Sequence, residues 1–350
     1  MLSGAARWLK TIYPNCTVDL LIPAWVSSAV GAAEGFDRVL IWDYSWSWFK
    51  RLKVIIRLRS YRYTGVYIFE QANRKTKTGF FFGGKYLFSF KNKYHILCTK
   101  TYAYDNQIHE TQNFAHLLRL SADHLKSKKV SGLYESPKMI NQNLPPVLAA
   151  SKEEKDFARE YLQRLGIEPR TRFVVLHPFG SPDTLLRFWP LAHYGKLARL
   201  LIREGIVVLF SGHGKEIEQI QVEVEKIESE ATLKPHQLVL TTAPLSQRQL
   251  GAVLELSLAL VVHNTGPMHL ATAVGTPVVA LFGSTDPLKT GPAPGDSPRK
   301  IIRVDFQCSP CDYSESDAKK KCWDQQFADC MPQITPERVM EALGQYIETK

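Results

Sequence analysis

The chain has 350 residues, more than one ordinary domain of about 100–200 residues uses, and its 45% hydrophobic and 22% charged residues exclude a disordered or fibrous protein. No run approaches the roughly 18 apolar residues of a membrane span, and the opening MLSGAARWLKTIYPN lacks the apolar region and small-residue cleavage site of a secretory signal, so a cytoplasmic location is expected. The formal charge of +10 is concentrated: residues 50–100 hold thirteen Lys or Arg against one acid, Glu70, and the rest of the chain is slightly acidic.

In chain order, an amphipathic helix runs to Pro14 with Ala6, Leu9, Ile12 and Tyr13 on one side, and strands follow at residues 18–22 and 39–42. A basic stretch, 50–62, leads to a strand at 65–69 and a polar loop at 70–74. The cations of this region, Arg74, Lys75 and Lys77 among them, interleave with Phe80, Phe81, Phe82, Tyr86, Phe88 and Phe90. That mixture suits an anionic surface, whether lipid headgroups, a phosphorylated glycan or nucleic acid; the alternative is a solvated basic face. A helix pattern returns at 109–120. Residues 141–152, NQNLPPVLAASK, carry the Pro pair and small residues of a domain connection, which sets domains of 1–150 and 151–335 and a closing segment, 336–350. The closing helix is long enough to fold back on the first domain.

The second half alternates regularly. Helices at 153–165, 191–203, 215–228 and 246–255 separate strands at 173–177, 206–210, 238–240 and 258–262, and a short helix opened by Pro267 leads to strands at 277–282 and 300–304. The strands are continuous apolar runs, as in a parallel sheet covered on both faces, so the expected fold is α/β and doubly wound. The first domain is expected to be of the same kind without its first strand, because the chain begins inside what reads as the helix after that strand.

Ligands of open α/β sheets bind outside the carboxyl ends of the strands, where three loops converge. HPFGSPDTLLRFWP (177–190) places Arg187 just before a helix, SGHGKE (211–216) brings Glu216 to the first turn of the next helix, and NTGPMH (264–269) opens a helix with Gly266 and Pro267. A cation, a carboxylate that accepts from hydroxyls and a phosphate-ready helix end suit a nucleoside diphosphate carrying a sugar. Each has a plainer reading: Arg187 as a surface cap, Glu216 as a favourable first-turn charge, His269 as a satisfied buried histidine, and the whole loop as an ordinary βα turn. Cys16 and Cys98 read as small buried hydrophobes. Cys308, Cys311, Cys322 and Cys330 (C-x2-C-x10-C-x7-C) offer a structural zinc site as an alternative to free thiols, but lack tight pairing in their second half, so no metal is expected.

The motifs HPFG, R-F-W-P, S-G-H-G-K-E and above all N-T-G-P-M-H-L-A-T-A-V-G-T-P-V-V-A-L-F-G-S-T-D-P resemble glycosyltransferase family 9, the ADP-heptose:lipopolysaccharide heptosyltransferases. The resemblance is strong over about residues 170–345 and weak before, through RWLKTIYPN and the His109-Glu110 helix start. It implies a GT-B fold, two Rossmann-like domains facing across a cleft, and inverting transfer of a heptose or related sugar from an ADP-sugar to an anionic lipid-linked inner-core acceptor at the inner membrane face. It further implies a monomer with no cofactor and no nucleic acid partner.

Carried over residue by residue, Arg187 stands where the family has a Lys on the donor phosphates and would stabilise the leaving group. Glu216 matches the carboxylate on the ribose, and Thr265, Gly266, Pro267 and Met268 match the diphosphate loop. Asn264 replaces an Asp that touches the heptose, and His177, Gly180, Ser211 and His269 complete the donor site. Arg74, Lys75 and Lys77 would meet the acceptor. The family's G-D pair, whose Asp is its proposed general base, has no match here. The catalytic base is therefore unassigned, and a nucleotide-sugar-binding protein of impaired activity is the alternative expectation.

Overall fold

The computed structural model describes residues 2–24, 26, 35–70, 72–130, 144–180, 188–230, 237–240, 245–295, 297–304, 306, 309–310 and 330–348. The chain divides between Pro145 and Pro146, inside the Pro pair, into two compact units.

In the second unit the strands are β6 (Phe173–His177), β7 (Val207–Phe210), β8 (Leu238–Leu240), β9 (Ala259–His263), β10 (Val278–Phe282) and β11 (Arg299–Arg303). They form one parallel sheet in the order β11-β10-β9-β6-β7-β8. Side chains alternate between two cores, so a fully apolar strand buries both its faces. From β6, Val174 and Leu176 enter one core with Trp189, Tyr194, Leu197 and Leu201, while Phe173 and Val175 enter the other with Tyr161, Leu162, Val253 and Met268.

Helices α5 (Lys152–Arg164), α6 (Leu191–Arg203), α7 (Lys215–Glu230), α8 (Gln247–Leu256) and α9 (Gly266–Val274) connect the strands. Helices α5 and α8 begin with full capping boxes, Ser151 with Glu154 and Ser246 with Gln249, which satisfy the exposed N–H groups at their starts. The closing helix, α11 (Pro336–Ile347), buries Val339, Ala342, Leu343 and Ile347 in the core that holds Trp189 and Tyr194. Trp189 fixes that junction by donating from Nε1 to the Ile334 carbonyl at 2.8 Å. The apolar face expected to meet the first domain is thus taken up within the second unit.

The first unit is parallel too, but its described strands form two sheets. β1 (Asp19–Ile22) pairs β2 (Arg38–Ile41), and β3 (Gly65–Ile68), β4 (Tyr86–Phe90) and β5 (Lys100–Tyr102) make a second sheet. Asp19 links the two: it accepts a two-pronged bond from Arg38 at 2.7–3.0 Å and a hydrogen bond from Tyr63, which leads into β3. Helix α1 (Leu2–Ile12) packs Ala5, Trp8 and Ile12 against Ala115 and Leu118 of α4 (Glu110–Ser127), whose start His109 and Gln112 cap reciprocally.

Three expectations for this unit change. The polar loop at 70–74 runs into a helix, α3 (Asn73–Phe81), in a unit whose basic stretch, given no element from the sequence, forms α2 (Trp48–Ser60). Phe88 and Phe90 are fully buried because β4 lies between two strands, and Phe82 packs on Trp42, so those rings are core and only Phe80 and Phe81 of the series are exposed. Cys16 and Cys98 are half-buried rather than interior.

Candidate functional site: the edge where the second sheet reverses

From β6 the chain moves outward to β7 and β8, then returns to the opposite side of β6 with β9 and continues to β10 and β11. The order therefore reverses between β6 and β9, and the crevice beyond their carboxyl ends is where an open α/β sheet binds ligands. His177 ends β6 and His263 ends β9.

The loops after these strands touch. A Cβ built on Gly180 would come within 2.5 Å of Thr265 Cγ2, so only glycine lets the first loop lie this close to the third. Phe188 leans over His263 with ring centroids 4.8 Å apart. His177 is buried and shares a 2.7 Å hydrogen bond, through Nδ1, with Ser211 Oγ at the end of β7, which ties in the second loop. Burial alone pushes the His177 pKa down to about 4, so the ring is neutral at physiological pH and serves to hold the loops together.

Glu216 lies in the first turn of α7, half-buried, with Oε2 accepting from the His213 N–H at 2.8 Å. Burial raises its pKa and that N–H pulls it back, leaving a carboxylate with acceptor capacity beside the sheet edge. Helix α9 starts at the N-cap Thr265, whose side chain makes no cap bond, and carries Pro267 in its first turn. Among the described residues a Cβ on Gly266 would meet nothing within 4 Å, so none of them fills the space beside this helix end, where the helix dipole favours an anion. Met268 has its side chain fully buried in the core, so only its backbone borders that space.

Asn264, almost fully buried, donates from Nδ2 to Thr285 Oγ1 at 2.9 Å and to Thr290 Oγ1 at 3.0 Å. Thr290 in turn donates to the Asp286 carbonyl at 3.3 Å, so its oxygen faces the amide as an acceptor. This pair of hydroxyls around a neutral amide is not visible in the spacing of the chain. Thr285 lies within the quoted F-G-S-T-D-P run, but Thr290 lies in the short helix α10 (Pro287–Thr290) that follows. Of the other expected donor residues, Arg187 lies outside the described residues, and His269 sits partly exposed in the first turn of α9.

In the first unit, Arg74, Lys75 and Lys77 all fall at the start of α3. The Arg74 guanidinium stacks 3.8 Å over the Tyr44 ring, Lys75 pairs with Glu70, and Lys77 is exposed. Cys330 is half-buried, while Cys308, Cys311 and Cys322 lie outside the described residues.

The family model for glycosyltransferase family 9 (heptosyltransferase) matches residues 128–322. Lipopolysaccharide heptosyltransferase 2 of Escherichia coli is 24% identical over 352 residues, covering 97% of this chain and 92% of the relative. Among solved structures, the glycosyl transferase family 9 protein of Veillonella parvula is similar with a TM-score of 0.75 at 16% identity, over 99% of this chain and 93% of that one. An Escherichia coli heptosyltransferase solved with ADP-2-deoxy-2-fluoro heptose gives a TM-score of 0.66 at 13% identity, over 98% and 94%. At such identities the likeness speaks to fold, which is α/β with parallel sheets and of GT-B type.

Proposed function

The chain belongs to glycosyltransferase family 9, and from that premise we propose that it transfers a heptose, or a closely related sugar, from an ADP-sugar to an anionic lipopolysaccharide inner-core acceptor. The observation that carries this reading is the reversal point of the second sheet. There a close glycine contact brings the first and third loops together before an open helix end, with Glu216 on the neighbouring loop. A diphosphate at the start of α9 would be held by the helix dipole, and Glu216 would accept from the ribose hydroxyls. Asn264, held by two threonines, offers its remaining amide oxygen to a sugar hydroxyl.

The chemistry is a displacement at the anomeric carbon. The acceptor hydroxyl attacks from the face opposite the diphosphate and gives up its proton to solvent water, the bond from the anomeric carbon to the phosphate oxygen breaks, and the anomeric configuration inverts as ADP leaves. Developing charge on the diphosphate falls at the α9 end and, by the family resemblance, on Arg187, a preorganised electrostatic arrangement. Arg74, Lys75 and Lys77 suit the phosphates of the acceptor. No helix among the described residues is long and apolar enough to cross a membrane, and the basic excess of the first unit fits a peripheral protein at the cytoplasmic face of the inner membrane. The expected protein is a monomer, using the ADP-sugar as substrate and needing no cofactor.

Incubation of purified protein with ADP-heptose and a Kdo–lipid A acceptor tests the proposal. ADP release matched by a heptosylated acceptor of inverted configuration is expected. Donor binding without transfer would leave a binding protein, and absence of both would remove the reading.

A further inference from the structure

Helix α2 carries apolar residues on two sides. Val54, Ile55 and Leu58 face inward and pack around Trp42 and Phe82. Phe49 and Ile56 lie two turns apart on the outward side, 73% and 59% exposed, with Trp48 beside them at 62%. Lys50, Lys53 and Arg57 share this outward surface, and the helix contains no acidic residue. At its far end Arg59 donates to the Phe81 carbonyl at 3.3 Å, which sets the end of α3 alongside, with Phe80 and Phe81 about half exposed. All the large exposed aromatic side chains among the described residues fall on these two helices.

A helix of a water-soluble surface presents polar residues outward, and clustered exposed apolar side chains mark a contact surface. The chemistry around them selects the occupant. Protein interfaces are depleted in Lys at their centres, whereas here Lys and Arg alternate with the apolar side chains. Nucleic acid would engage the cations and stack on rings, but has no use for Ile56. An anionic bilayer uses both classes at once: the rings and the isoleucine enter the boundary between headgroups and acyl chains, while the long cationic side chains extend their heads to the lipid phosphates.

We propose that α2, continued by the end of α3, is a membrane-docking face that lies in the headgroup plane of an anionic bilayer and inserts Trp48, Phe49 and Ile56. This deepens the proposed action on a lipid-linked acceptor by naming the surface that brings the protein to it, yet it rests on the first unit alone.

Co-sedimentation of the full chain with vesicles free of donor and acceptor tests it. The protein is expected to sediment with phosphatidylglycerol/phosphatidylcholine vesicles and to remain free with phosphatidylcholine alone. The double variant Phe49→Ser/Ile56→Ser, unchanged in charge, should lose about tenfold or more in partition. Lys50→Gln/Lys53→Gln/Arg57→Gln should lose at least as much and abolish the salt dependence. Val222→Ser, an exposed apolar position of the second unit, should behave as wild type, and quenching by brominated lipid should weaken in Trp48→Phe. No binding to anionic vesicles, or binding that Phe49→Ser/Ile56→Ser leaves intact, would overturn the proposal. ADP-sugar affinity of the same variants, read by calorimetry, should stay at the wild-type value, which separates a failed docking face from a failed donor site.

Discussion

In the second unit the six described parallel strands make one sheet with an apolar layer on each face, and the turnaround of strand order creates a crevice lined by buried polar groups. Among the described residues of the first unit the same strand chemistry yields two short sheets joined through Asp19, Arg38 and Tyr63, and its distinctive groups lie outside, on helices α2 and α3. An unbroken sheet concentrates chemistry at one interior edge, where burial can tune it. A divided one leaves recognition to charge and exposed rings. The second unit should therefore respond sharply to single buried changes, and the first to the sum of several exposed ones.

The largest contrast is expected in stability. Leu343 on α11 is fully buried in the second unit's core, so Leu343→Ala should cost about 2–5 kcal/mol and lower the unfolding transition of that unit in calorimetry. A melt in which only the first unit loses stability would reverse the placement of the closing helix.

The pH dependence comes next. His177 stays neutral when folded, with a pKa of about 4, and takes up a proton near its ordinary value when unfolded. The stability it contributes is complete above about pH 6.5 and falls away as pH drops from there to about 4, by roughly 3 kcal/mol. Denaturant titrations of wild type and His177→Gln across this range should show the variant with a flatter profile.

Removing the carboxylate with Glu216→Gln should weaken ADP-sugar binding about 10- to 100-fold by calorimetry while leaving the melting temperature nearly unchanged. Because burial raises the Glu216 pKa, wild-type donor affinity should also fall as pH descends toward the carboxylate range, and the Gln variant should not follow it. Asn264→Asp removes the amide donor shared by Thr285 and Thr290, at a cost of about 1–2 kcal/mol in the stability of the second unit. Smallest of all, Arg74→Gln/Lys75→Gln/Lys77→Gln should move the melting temperature of the first unit by no more than about 2 °C. Its effect should appear as a weaker, less salt-sensitive acceptor KM.

The second unit was largely legible in the chain because its strands are uninterrupted apolar runs and its loops carry glycine, proline and charge at fixed offsets. The strands 173–177 and 238–240 and the helix 191–203 keep their expected bounds, and β9 is shifted by one residue at each end, from 258–262 to Ala259–His263, with the fully buried His263 imidazole as its last residue. What the spacing hid were contacts between distant loops: His177 with Ser211, Gly180 against Thr265, Asn264 between two threonines. The first unit was harder to read. Helix α2 bears apolar residues on two sides, which blurs the single-stripe period of a soluble helix, and the rings of β4 look the same in sequence as the exposed pair Phe80 and Phe81. The family resemblance supplied the roles of the donor loops, but burial and hydrogen bonding decided that Met268 faces the core and that Asn264 is held as an amide.

Among the described residues β1 and β3 each have a ladder on one side only, so no described strand locks the backbone N–H and C=O groups along their other sides. Deuterium should enter these amides orders of magnitude faster than those of β6 and β9, and at high protein concentration the same uncovered rows should be the first to recruit a strand from another molecule.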